Sequence, residues 1–185
     1  MPIDAVVLDA CVLYPAPIRD LLLHLAAEDL YSPKWSKRIH EEWIRNLLAN
    51  RPDLEKTNLH RTQKLMDDAF PEAVVKNYSG LEEKLSLPDP DDNHVLAVAI
   101  KSRSTKIITF NLKDFPSKKL TPHHVKAVHP DSFIVNLIQS DEEKGQRAFL
   151  NQVVNLKNPP MTENEVLNVL KKSLPSTVSS LKKLI

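Results

Sequence analysis

Glycine is almost absent: the 185 residues hold two, Gly80 and Gly145. A phosphate-cradling P-loop or a GxGxxG turn needs more glycine than that, so enzymes built on those two nucleotide-binding loops are excluded. Cysteine is scarcer still. The single Cys11 rules out an internal disulfide and fits a reducing compartment. No apolar run is long enough to cross a bilayer. The opening MPIDAVVLD has no basic segment ahead of a leader-like apolar stretch, so a soluble, cytoplasmic protein is expected. Neither sign of charge dominates: Lys+Arg 25 against Asp+Glu 24 give a net +1. That balance argues against a simple DNA-binding module, but not against an acidic site flanked by local cations. What is present is an ordinary core, 42% hydrophobic with 26% charged residues, at a length that suits one domain with an extension.

The stretch from Pro88 to Pro116, PDPDDNHVLAVAIKSRSTKIITFNLKDFP, organises the rest. Asp89, Asp91 and Asp92 cluster where an apolar helix begins, a position favoured by the helix dipole. A β-branched strand, Ile107 to Phe110, follows and ends in a polar loop, Asn111 to Asp114. A second strand delivering a carboxylate lies near the N-terminus, Ile3 to Leu8 closed by Asp9. In open α/β sheets ligands bind at the carboxyl ends of strands, and both strands bring oxygens there.

Between these segments the pattern alternates. A helix is expected over Ile18 to Glu28, with Pro17 in its first turn. Leu30-Tyr31 reads as a brief strand and Ser32-Pro33 as the start of a helix running to Ala49. A helix over about Leu54 to Phe70, a strand over Ala73 to Tyr78, a helix over Asp91 to Ser102, an edge strand over Val125 to Val128 and a helix from Pro130 to Ile138 complete the core. Strands alternating with helices imply an α/β fold: a parallel sheet of four or five strands with helices on both faces. After residue 140 strand signals stop. Asp141 to Leu156, Thr162 to Ser173 and Ser176 to Leu184 read as three amphipathic helices, the second opened by a Thr162/Glu165 capping box. The expected division is a core of residues 1–140 and a helical C-terminal extension of residues 141–185.

Asp9, Asp92 and Asp114, gathered by strand and helix ends, form a set of hard oxygen donors suited to Mg2+ or Mn2+. Glu41 or Glu42 on the second helix adds a fourth carboxylate, and helical periodicity does not choose between them. Asp91 can exchange with Asp92 in the same reading. Each acid alone has a plainer role: Asp9 as a turn residue, Asp91 and Asp92 as caps, Glu41 and Glu42 as partners of Arg38 or Arg45. Only the cluster outweighs these. Such a cluster supports attack of activated water on a phosphodiester. His94 reads as an exposed helix histidine, and Cys11 as a small buried hydrophobe rather than a nucleophile. Trp35 and Trp43 read as core. The cations Arg38, Arg45 and Lys113 are the candidates for gripping phosphates at the rim.

Four pieces taken in order, LDACVLYP, SKRIHEEWIRNL, DPDDNHVLAVAI and IITFNLKDFP, resemble PIN-domain ribonucleases of the VapC toxin type over roughly residues 3–138. The resemblance implies a PIN-like three-layer fold and an acid cluster holding Mg2+ or Mn2+ to cut single-stranded RNA. It also implies a cognate antitoxin as partner and a homodimer. Position by position it implies Asp9 as the first acid, Glu42 as the helix glutamate and Asp92 as the third acid, with Ala99 seven residues on. Asn111 stands where the family more commonly has an acid, so Asp114 is taken as the fourth, with Thr109 and Asn111 as support. That departure keeps a second reading open, a PIN-like module that binds RNA or protein without cutting. A phosphatase using a nucleophilic aspartate after the first strand needs another aspartate two residues beyond Asp9, and Cys11 occupies that place.

Overall fold

The computed structural model describes residues 3–185. Its centre is a four-stranded parallel sheet of order β2-β1-β3-β4, made of β1 (Ala5–Leu8), β2 (Ser32–Lys34), β3 (Lys106–Ile108) and β4 (Lys126–Val128). In chain order the helices are α1 (Ala10–Leu13), α2 (Ala16–Ala27), α3 (Lys37–Asn50), α4 (Lys56–Ala69), α5 (Ser79–Glu82), α6 (Asn93–Lys101), α7 (Ser117–Leu120), α8 (Pro130–Ser140), α9 (Glu142–Asn155), α10 (Glu163–Lys171) and α11 (Pro175–Leu181). This is the expected PIN-like α/β arrangement with helices beyond it. No helix among the described residues is long and apolar enough to cross a membrane.

β1 and β3 are adjacent, with Val7 paired to Ile107 and Leu8 to Ile108, and Val6, Val7, Leu8, Ile107 and Ile108 are fully buried. Parallel strands covered on both faces read as continuous apolar runs, which is why these two are legible in the sequence. Ser32-Pro33 does not start a helix. It lies in β2, where Pro33 pairs with Val6, and α3 begins later, with Ser36 capping the Ile39 N–H at 3.2 Å. Ala73 to Tyr78 forms no strand. A 3-10 turn covers Pro71–Ala73, and a single bridge joins Val74 to Trp35. Pro71 at its start and Asn77 at φ 59° stop the segment from extending.

The three C-terminal helices form where expected, and the capping box is present, with Thr162 N–H on Glu165 Oε2 at 2.7 Å and Glu165 N–H on Thr162 Oγ1 at 3.3 Å. They share one continuous hydrophobic core with the sheet: Phe149, Leu167, Leu174 and Leu181 belong to the same buried cluster as Val6 and Leu21. α9 lies along α2, fixed at its edge by the Arg147–Glu28 pair at 2.8 Å and by Gln152 Nε2 donating to Pro17 O at 2.9 Å.

Where α9 turns back onto α8, a Cβ on Gly145 would sit 3.0 Å from Ile138 Cγ1 and 3.1 Å from Ile138 Cα. Ordinarily Gly→Ala inside a helix gains up to about 1 kcal/mol. Here overpacking against backbone costs about 1–3 kcal/mol. Gly145→Ala therefore destabilises, by about 1 kcal/mol net, as read from urea unfolding midpoints; a stabilised variant would show that the two helices can move apart freely.

Candidate active site

Side-by-side pairing of β1 and β3 brings their carboxyl ends together. Asp9 follows β1 directly, caps α1 by accepting from Ala10 N–H at 2.8 Å, and takes the Thr109 hydroxyl on its other oxygen at 2.8 Å. Thr109 Oγ1 in turn accepts the Asn111 N–H at 3.0 Å, which fixes the loop after β3. Cys11 closes the knot: its thiol donates to Asp9 Oδ2 at 3.3 Å and its sulfur accepts from Phe110 N–H at 3.3 Å. Burial, then the Asp9 charge, pushes that thiol up to about 12, so Cys11 stays protonated and is no nucleophile. Asp9 itself is only 5% exposed, and burial raises its carboxyl against the pull of its three hydrogen bonds.

Asp92 ends the 3-10 turn Pro90–Asp92 that leads into α6. Asp89 supplies the cap, accepting from Asp91 N–H at 2.9 Å, so Asp92 is released from capping. Asp91 is exposed, whereas Asp92 is half-buried. Burial first, then the charges of Asp9, Asp89, Asp114 and Glu42, pushes the Asp92 carboxyl up to about 7. Carboxylates from four separate segments of the chain therefore act on one another across this end of the sheet. Asp114 is half-buried in the turn Leu112–Asp114, and Asn111 and Lys113 beside it are exposed.

α3 separates its two glutamates. Glu41 faces outward, 3.5 Å from Lys37. Glu42 is 17% exposed and turns inward, its Oε1 2.8 Å from His94 Nε2 and 3.7 Å from Arg38 Nε. Arg38 is also held by Glu82 at 2.7 Å, so it braces the glutamates, while Arg45 is exposed on α3.

His94 is the residue that sequence reasoning misplaced. It is fully buried rather than exposed. α6 is apolar all round, buried from His94 through Ala99, and a helix of that kind lies in the core. A histidine inside such a helix was the signal available. Its Nε2 is close to Glu42 but off the line of a hydrogen bond, and its Nδ1 meets no partner.

Among the described residues no three His, Cys, Asp or Glu side chains already stand in metal-ligand geometry. Asp9 is drawn to Thr109 and Ala10, and Glu42 to His94 and Arg38.

Residues 5–113 match the family model described as PIN domain. The chain belongs to the PIN domain family. Residues 130–183 match a second model, described as VapC50 C-terminal domain, which takes in α8 together with the three helices after it. A curated relative from Mycobacterium tuberculosis (strain ATCC 25618 / H37Rv), named "Putative ribonuclease VapC50", is 36% identical over 93 residues, covering 50% of this chain and 55% of the relative. The chain thus spans about half the length of the curated relative it matches. No solved structure gives a significant match. In this PIN domain the candidate oxygens of Asp9, Glu42, Asp92 and Asp114 are hard donors of the kind that suits Mg2+ or Mn2+, with the Cys11 thiol against Asp9 and the His94 imidazole against Glu42.

Proposed function

We propose that this PIN domain is a metal-dependent endoribonuclease that hydrolyses phosphodiesters of single-stranded RNA, and that it is the toxin of a type II toxin–antitoxin pair in the cytoplasm. The observation that carries the reading is the gathering of Asp92 with Asp9, Asp89, Asp114 and Glu42 beyond the strand ends, where burial first and then those four charges push its carboxyl up to about 7. Carboxylates gathered in this way repel one another, and a divalent cation relieves that repulsion. The printed name of the relative, a ribonuclease, agrees with the nuclease reading.

Asp9, Glu42, Asp92 and Asp114 would hold the ion. When bound, Mg2+ or Mn2+ supplies the charge that activates the attacking water and offsets the charge developing on the scissile phosphate. The remaining work belongs to the chain. Thr109 and Ala10 fix the Asp9 carboxylate at the end of β1. Exposed Arg45 and Lys113 grip flanking phosphates, and Arg38 steadies Glu42 through its contacts with Glu42 and Glu82. The antitoxin and a second copy of the chain are the protein partners in this reading, and the helices after residue 140 extend the nuclease unit.

The test is cleavage of a mixed single-stranded RNA pool by purified protein in Mn2+ or Mg2+ against EDTA, beside Asp9→Asn. Cleavage that needs metal and disappears in the variant is expected. Asn111 in place of the usual acid favours one other reading, a PIN-like module that binds without cutting. Folded protein that binds RNA independently of metal and never cuts it would put that reading first.

A further inference from the structure

We infer that His94 is a positioning residue that aims the Glu42 carboxylate at the metal, an inference that rests on the nuclease reading above. His94 lies on the second residue after Asp92 and is fully buried, with its Nε2 2.8 Å from Glu42 Oε1. Neither ring nitrogen completes a hydrogen bond. Stability does not explain the residue. Nδ1 is buried without a partner, which is costly, and a leucine would fill the same place in an otherwise apolar helix without that cost; only the Nε2 contact with Glu42 distinguishes the histidine.

Geometry supplies the reason. Glu42 reaches inward from α3, and two groups meet it: Arg38 from its own helix, half-exposed, and His94 from α6 in the core. Both contacts fall on Oε1. A donor on Oε1 fixes the plane of the carboxylate and leaves Oε2 as the oxygen for a cation. The 2.8 Å contact puts the imidazole where an outer-shell partner orients a ligating carboxylate. α6 thereby serves the site twice, with Asp92 in its approach turn and His94 holding the acid of another helix.

The test measures Mn2+ binding by calorimetry or by the loss of free-ion EPR signal, together with Tm in EDTA, for His94→Leu, His94→Gln, Glu42→Gln and the double variant His94→Leu/Glu42→Gln. His94→Leu is expected to melt at or above the parent temperature yet bind Mn2+ about tenfold more weakly, the size of effect that outer-shell partners of metal ligands show. His94→Gln, whose amide nitrogen falls near the Nε2 position, is expected to recover most of that affinity. In the double variant, loss of His94 is expected to add nothing to the loss of Glu42. Unchanged Mn2+ affinity in His94→Leu, with Glu42→Gln weakened, overturns the inference and leaves the nuclease reading intact. Unchanged affinity in Glu42→Gln removes Glu42 as a ligand and overturns the inference with it. A His94→Leu protein that melts far lower, with no recovery of affinity in His94→Gln, assigns His94 to packing and also overturns it.

Discussion

Asp92→Asn loses RNA cleavage by more than about 100-fold, since even second-shell partners of metal ligands cost 10–100-fold when removed. The same substitution raises Tm in EDTA at pH 8. Asp92 sits among Asp9, Asp89, Asp114 and Glu42, and burial first and then their charges lift its carboxyl to about 7. At pH 8 it carries its charge against those neighbours, and replacing it with a neutral amide of the same shape relieves the repulsion. Asp92 is only half-buried, so solvent screening limits the gain to about 1 kcal/mol, or roughly 2–4 °C for a chain of this size. Activity and stability thus move in opposite directions, the mark of a site strained for function. Cleavage assays and thermal melts in EDTA on the same preparation check both. A variant that loses activity and also melts lower would place Asp92 among structural residues.

Asp131→Ala lowers stability by about 2–3 kcal/mol, or roughly 5–10 °C in Tm. Asp131 is buried in the first turn of α8, and its two oxygens accept the N–H groups of Thr177 at 2.7 Å and Ser176 at 3.0 Å, while the Thr177 hydroxyl donates to its backbone carbonyl at 3.3 Å. It therefore caps α11 from a different helix. Alanine would leave two N–H donors without their acceptor at the start of α11, the Thr177 one buried. Burial alone raises the Asp131 carboxyl, but the hydrogen bonds from Thr177 and Ser176 outweigh it and hold it below the usual carboxylate value. A depressed carboxyl favours the folded state above the unfolded pKa, near 3.9. Its contribution is lost as pH falls through the folded pKa. The gap between wild type and Asp131→Ala in urea melts is accordingly full at pH 7 and shrinks below about pH 4. Coincident melts at pH 7 would show that α11 is held by its apolar face alone.

The sequence-derived fold was reliable where one segment carries its own reason for its shape. β1 and β3 are apolar and β-branched because both their faces are buried, and the helices after residue 140 are separated by prolines, with α9 and α10 capped by the adjoining Asp141 and Thr162. It failed where the reason lies in another segment. Ser32-Pro33 has the local look of a helix start and becomes a strand only through pairing with β1. His94 looks like a surface residue until Glu42, fifty-two positions earlier, is placed against it. The Asp131 cap could not be read at all, because its partners lie 45 and 46 residues away. Among the site residues, Asp9 and Thr109 meet because β1 and β3 are neighbours, a topology that the strand pattern alone leaves open. Burial separates Asp92 from Asp91, and orientation separates Glu42 from Glu41, neither of which the residue pattern decides.

The helices after residue 140 share the core with the sheet, and the last buried members of that core are Val178 and Leu181. During translation the acids through Asp114 leave the ribosome well before the residues that complete the packing around them. Every proposed ligand is therefore synthesised before Val178 and Leu181, the last residues of the core that the sheet shares with the C-terminal helices.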